Sequence, residues 1–271
     1  MKFRCNKPNF QRGKNVLKIR MKAPKNRKWH YLRVVALSLA LFGLTHCDNE
    51  PYNYLEEYSR YTSTERISIY TVDFAIAVPN NYYSHPRPMP LVLALHYGGT
   101  VTEDSGVNLL AELVLPALGE LEAIFVAPVS PSQTTWISTP CERVIFGLID
   151  TIKTYMQVDP AKIIITGYSM GANGVWYYVN KYPNYFATAL PVSGNPGGLT
   201  LNNLGATPIY AIHSKADEVF LYDNVKTAIE ALQAQGVNVH LKTVTSAGHY
   251  ETTKFAKPLR TLLSWIKTQL Q

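Results

Sequence analysis

No acidic residue occurs between Met1 and His46, although that stretch holds twelve lysines and arginines. Those twelve more than account for the formal charge of +7. Without them, 14 basic residues face 19 acidic ones, a formal charge of −5. A domain of that sign has no electrostatic pull toward phosphate backbones, which removes nucleic acid from the expected partners. Cysteine is equally scarce, with Cys5, Cys47 and Cys141 the three in 271 residues. If Cys5 leaves with an N-terminal signal and Cys47 is acylated, Cys141 stands alone and no disulfide framework is possible; Cys141 reads as a small packing residue in a helix. No His-x-x-x-His and no cysteine cluster occurs, so no metal site is expected. No Gly-x-Gly-x-x-Gly follows a strand, which leaves no nucleotide cofactor to expect. The apolar run Val34 to Leu44 is short of the about 20 residues that span a bilayer.

A basic stretch followed by a short apolar run is the pattern of a secretory signal segment. Leu44-Thr45-His46-Cys47 then resembles the lipobox of a bacterial lipoprotein signal, with His46 where a small residue is usual. That resemblance implies acylation of Cys47 and a membrane anchor on the periplasmic or cell-surface side. Plain secretion and a retained anchor are the other outcomes. Met21 would give a signal of ordinary length, so Met1 to Arg20 is expected to be dispensable. The chain thus divides into a targeting segment (1–46), a polar, tyrosine-rich tether (47–65) and one catalytic domain (66–271).

Arg66 to Val78 alternates and predicts one or two antiparallel edge strands. Beyond Pro90 the pattern changes to continuous apolar strands separated by helix-length segments. Strands are expected at Leu91–Leu95, Ala123–Ala127, Lys162–Thr166, Ala187–Ser193, Pro208–His213 and Val239–Val244. Helices are expected over Val107–Leu118, Glu142–Met156, Tyr222–Gln235 and Thr252–Leu270, with another opening at Ala172. Alternating β and α with strands apolar on both faces means an α/β fold, a mostly parallel sheet covered on both sides. No internal repeat and no second domain is visible.

The three isoleucines at 163–165 run into Gly167-Tyr168-Ser169-Met170-Gly171. Strand, sharp turn and helix around Gly-x-Ser-x-Gly is the setting of a nucleophile elbow, in which a strained serine stands clear of the sheet. A serine hydroxyl is a weak nucleophile and needs a base, and the base needs an orienting acid. Two later strands end beside such groups. The strand ending at His213 leads to Asp217, with Glu218 and Asp223 as rivals; the strand through Val244 leads to His249. The order Ser169, Asp217, His249 is the one this architecture requires. His213 and His96 read as structural, and His240 lies inside a strand. An oxyanion hole needs backbone N–H groups, one from Met170 after the nucleophile. A second comes from the loop Leu95-His96-Tyr97-Gly98-Gly99, with Gly98 favoured over Tyr97.

Taken together, Leu95-His96-Tyr97-Gly98-Gly99, Val158-Asp159-Pro160-Ala161-Lys162-Ile163, the serine elbow, Tyr182-Pro183, Pro191-Val192-Ser193-Gly194, Asp217 and Gly248-His249 resemble the α/β-hydrolase superfamily. The likeness runs from about residue 66 to the C-terminus. Within that superfamily the chain is similar to secreted serine esterases of the feruloyl-esterase and polyhydroxybutyrate-depolymerase kind, and to prolyl-oligopeptidase-type peptidases. The resemblance implies an α/β-hydrolase fold and a Ser169–His249–Asp217 triad acting through an acyl-enzyme. No lid-sized insertion separates the strands near Val192 and Pro208. An open site favours small-molecule or polymer-borne esters with short, aromatic or carbohydrate-linked acyl groups over long-chain lipids. Trp136 and Tyr168 are the candidate substrate-binding side chains, with hydrophobic packing the alternative for Trp136. A peptidase, and a surface-binding lipoprotein without catalysis, are the competing readings.

Overall fold

A computed structural model describes residues 58–67 and 70–271; the expected targeting segment, Cys47 and residues 48–57 of the expected tether lie outside them. Eight strands form one sheet in the order β1-β2-β4-β3-β5-β6-β7-β8. In chain order they are β1 (Tyr58–Ile67), β2 (Tyr70–Pro79), β3 (Met89–Leu95), β4 (Ile124–Pro128), β5 (Val158–Tyr168), β6 (Thr188–Val192), β7 (Ile209–Ser214) and β8 (Val239–Val244). β3 to β8 run parallel, and β1 and β2 add an antiparallel edge on β4. The expected fold class is the observed one.

The apolar runs have a plain cause. Ile163 and Ile165 face one core and Ile164 the other, and Leu91, Leu93 and Leu95 oppose Val92 and Ala94 in the same way on β3. α3 (Thr139–Tyr155), α4 (Met170–Lys181) and α5 (Tyr222–Ala234) cover the first face. The second is covered by α1 (Ser105–Leu109), α2 (Leu115–Leu118), α6 (Ala256–Arg260) and α7 (Leu263–Gln269). α1 and α2 join through a π-helical turn, Leu110–Val114. The wider turn precedes Pro116, whose ring would crowd the carbonyl four residues back in a regular helix. Cys141 is fully buried in the first turn of α3.

One expectation needs correction. Residues 58–65, read as tether, belong to β1, which pairs with β2 in unbroken register from Tyr58↔Pro79 to Ile67↔Tyr70. Tyr58 anchors the strand: its ring meets Phe125 edge-on at 5.4 Å and its hydroxyl donates to the Gly119 carbonyl at 2.7 Å. An edge strand held by a single neighbour and one buried aromatic needs no long apolar run, so its sequence looks like a linker.

The strand order also locates the site. From β3 the chain crosses to β4 on one side and then returns to β5 on the other side of β3. Open α/β sheets bind ligands at such a reversal, beyond the carboxyl ends of the strands. The loop after β3 carries His96 to Gly99, and the turn after β5 carries Ser169.

Candidate active site

Ser169 follows the last residue of β5 and precedes the first of α4, with φ 53° and ψ −115°. A side chain in that region costs about 1–3 kcal/mol, so the neighbours must enforce it. Both flanking glycines are sterically required. A Cβ on Gly167 would sit 2.6 Å from the Gly171 backbone, and one on Gly171 would enter the Leu95 carbonyl. The turn is therefore pressed against the end of β3, which brings the nucleophile beside the His96–Gly99 loop.

Asp217 lies beyond β7 and His249 beyond β8, both buried. Ser169 Oγ is 2.8 Å from His249 Nε2, and His249 Nδ1 is 2.9 and 3.0 Å from the two Asp217 oxygens. A carboxylate accepts, so Nδ1 bears the proton and Nε2 is free to accept from the serine hydroxyl. Asp217 also accepts from Ser193 Oγ at 2.6 Å and from the Val219 and Phe220 N–H groups at 3.0 and 2.8 Å. Burial pushes the Asp217 carboxyl up, but hydrogen bonds from His249, Ser193 and Phe220 outweigh it and hold it at about 2.

The rival acids do other things. Glu218 accepts the backbone N–H of His249 at 2.8 Å, so one acid holds the ring and the next holds the main chain. Asp223 is exposed in the first turn of α5. His213 is buried beside Asp217. Its Nε2 donates to the Phe220 carbonyl at 2.7 Å, and burial pushes it toward the neutral form.

His96 is fully buried and shapes the loop after β3. The Ser130 N–H can only donate, so His96 Nε2 accepts at 3.0 Å and Nδ1–H donates to the Tyr97 carbonyl at 2.7 Å. The carbonyl of Tyr97 and the N–H of Gly98 share one trans peptide and point in opposite directions. Fixing the first toward His96 turns the second away from it. Gly98 also packs on Met170, 3.5 Å from a Cβ position to the Met170 Cβ and Sδ atoms. Met170 N–H, at the first position of α4, has no partner inside the helix. The Tyr97 side chain sends its hydroxyl toward Glu112, at 3.4 Å.

Neither expected substrate-binding side chain reaches the surface. Trp136 has no exposed area; its Nε1 donates to the His96 carbonyl at 2.8 Å, and its ring meets His96 edge-on. Tyr168 is 2% exposed and donates to the His249 carbonyl at 2.7 Å. Both are supports, one under the β3 loop and one under the histidine. An aromatic in a loop reads the same from sequence whether it faces a ligand or the core. Sequence reading also missed Ser193. It is a second serine at positive φ (54°), at the end of the strand next to β5. The signal available was Ser-Gly just beyond an apolar strand.

Hollows of about 340 Å³ beside β8 (Tyr210, Tyr222, His240) and about 260 Å³ near Leu204 and Gly236 contain no residue of this constellation. Among the described residues, no group of three His, Cys, Asp or Glu side chains is arranged to hold a metal ion.

Residues 134–260 match the dienelactone hydrolase family. The fold is similar to that of a ferulic acid esterase (TM-score 0.63, 15% identity, 79% of this chain and 99% of that one). It is also similar to a thermostable esterase (TM-score 0.57, 21% identity, 80% of this chain and 61% of that one). An acylaminoacyl peptidase from Pyrococcus horikoshii has TM-score 0.58 and 11% identity, over 80% of this chain and 45% of that one. The chain thus spans about three fifths of the thermostable esterase and under half of the peptidase. No curated protein matches the sequence.

Proposed function

We propose that this chain, a serine hydrolase of the α/β-hydrolase type, cleaves carboxylic esters by two-step acyl transfer. The observation that carries the reading is the line from Ser169 Oγ through His249 to Asp217, with the serine in a strained turn. Ser169 Oγ attacks the ester carbonyl as His249 Nε2 takes its proton, and Asp217 faces the imidazolium that results. The oxyanion lies against the N–H groups of Met170 and Gly98, each worth about 3–4 kcal/mol in the transition state. Collapse breaks the bond to the alcohol oxygen, which receives the Nε2 proton. Water, deprotonated by the same nitrogen, then attacks the acyl-enzyme and releases the acid with Ser169 restored.

The partly exposed Ser169 and the lack of an α-helix in residues 193–208 between β6 and β7 support an open site for small-molecule or polymer-borne esters, with short, aromatic or carbohydrate-linked acyl groups. The likeness to a ferulic acid esterase puts feruloyl esters on the panel. The reading extends to export and a lipid anchor at Cys47, for which palmitate labelling lost in Cys47→Ala is the test.

Fluorophosphonate labelling of the domain from residue 48, wild type beside Ser169→Ala, reads the nucleophile directly by intact mass. A single adduct absent from the variant is expected. A folded wild type without adduct would favour a binding lipoprotein instead. Turnover of peptide anilides in preference to acetyl and feruloyl esters would favour the peptidase.

A further inference from the structure

Five large hydrophobic side chains stand exposed among the described residues: Tyr83, Tyr155, Val219, Leu221 and Tyr250. Three of them belong to the two loops that carry Asp217 and His249. Tyr250, 81% exposed, meets the His249 ring edge-on at 5.4 Å, and Phe220 does the same at 5.3 Å. Tyr168 lies against the histidine from the buried side, its ring 6.0 Å away. The catalytic imidazole thus lies between Tyr168 on its buried side and the rings of Phe220 and Tyr250, with the exposed Val219 and Leu221 flanking Phe220 in the chain.

This apolar border is held in place. Asp217 Oδ1 accepts from the N–H groups of both Val219 and Phe220, and the Phe220 carbonyl accepts from His213. The main chain of His249 is tied by Glu218 and by the Tyr168 hydroxyl. Apolar groups kept exposed by a fixed backbone lose little freedom when they take a ligand.

We infer that Val219, Phe220, Leu221 and Tyr250 form the subsite for the leaving alcohol, which is apolar and preferably aromatic. The inference rests on the proposed ester hydrolysis and names the substrate class on one side of the scissile bond. The oxyanion donors, Met170 and Gly98, stand on the β3 side of Ser169. His249 must give its proton to the leaving oxygen, so the alcohol departs across the histidine and over this border. Glu218 and Glu251, bound at the His249 and Gly248 N–H groups, place carboxylates alongside it. Glu251 is paired with Lys254 at 2.6 Å, so it is the Glu218 charge that disfavours an anionic alcohol.

The test holds the acyl group constant and varies the alcohol: kcat/KM for benzyl acetate against methyl acetate, in wild type, Tyr250→Ala and Leu221→Ser. Both positions are exposed enough for the variants to fold, which fluorophosphonate labelling verifies. The wild type is expected to prefer benzyl acetate, and the benzyl-to-methyl ratio to fall about tenfold in Tyr250→Ala and severalfold in Leu221→Ser. The methyl benzoate to methyl acetate ratio, which varies the acyl side, should hold. An unchanged alcohol ratio in both variants, or a drop confined to the acyl ratio, overturns the subsite while leaving ester hydrolysis standing. No ester turnover by the labelled wild type overturns both.

Discussion

Replacing Ser193 by alanine removes one hydroxyl from the fully buried side of Asp217 and tests the reading of that carboxylate. The Ser193 Oγ to Asp217 Oδ2 distance is 2.6 Å, and the only other donor to that oxygen among these bonds is His249 Nδ1. A hydrogen bond to a buried charge contributes about 1.5–3 kcal/mol. For a domain of this size a loss of about 2 kcal/mol lowers Tm by roughly 4–8 °C. Only the part of that loss felt more strongly by the imidazolium than by the neutral ring reaches kcat, so kcat/KM should fall about 3- to 30-fold. Ser193→Gly separates the hydroxyl from the backbone. It loses the same bond but relieves φ 54°, and should melt above Ser193→Ala while losing equal activity. A carboxyl held at about 2, below its free value of 3.8, stabilises the fold above the unfolded pKa and loses that contribution as pH falls from about 4 toward 2. Without the Ser193 donor the Asp217 carboxyl rises, so acid unfolding should begin at higher pH. Thermal melts across pH 2–7, with aryl acetate kinetics, read all three effects. Full activity with an unchanged melt in Ser193→Ala would refute the argument.

The other predictions concern the β3 loop and the elbow. His96→Ala leaves the Ser130 N–H and the Tyr97 carbonyl without their partner and frees the Gly98 peptide to rotate. The kcat should fall about 10- to 100-fold with KM little changed, whereas a merely structural histidine would lower Tm and leave the split alone. Gly171→Ala drives a methyl into the Leu95 carbonyl and should cost about 3 kcal/mol or abolish folding, read by denaturant titration. Gly198→Ala meets nothing within 4 Å and serves as the neutral control.

What the sequence made legible follows from how each feature is encoded. Ile163 to Ile165 announce a strand buried on both faces because each successive side chain must enter a different core. Ser169, Asp217 and His249 are marked by order and by position at strand ends, and the structure brings their side chains within hydrogen-bond distance. β1 was hidden because an edge strand pinned by Tyr58 and main-chain bonds needs little apolar sequence. Trp136 and Tyr168 were misplaced because composition does not tell a ring stacked under a loop from one facing a ligand. The exposed Tyr250 was passed over for the complementary reason: exposure is a property of the fold.

The two strained serines raise the question of what holds them. Ser169 donates its N–H to Val192 on β6 at 3.0 Å, and Ser193 donates its own to Ile212 on β7 at 2.8 Å. Each thus continues the sheet's ladder one residue past its strand, at the position where the backbone turns back. β6 receives the first residue at positive φ and supplies the second. Ser193 then grips Asp217, Asp217 orients His249, and His249 returns to Ser169. The constellation is a closed ring built across four strand ends. Strain at one serine is opposed by bonds that also fix the other, because a rotation at either would break a ladder bond and a side-chain bond together. Strain at a functional turn persists only where the surroundings over-determine it, and here the surroundings are the remaining members of the site.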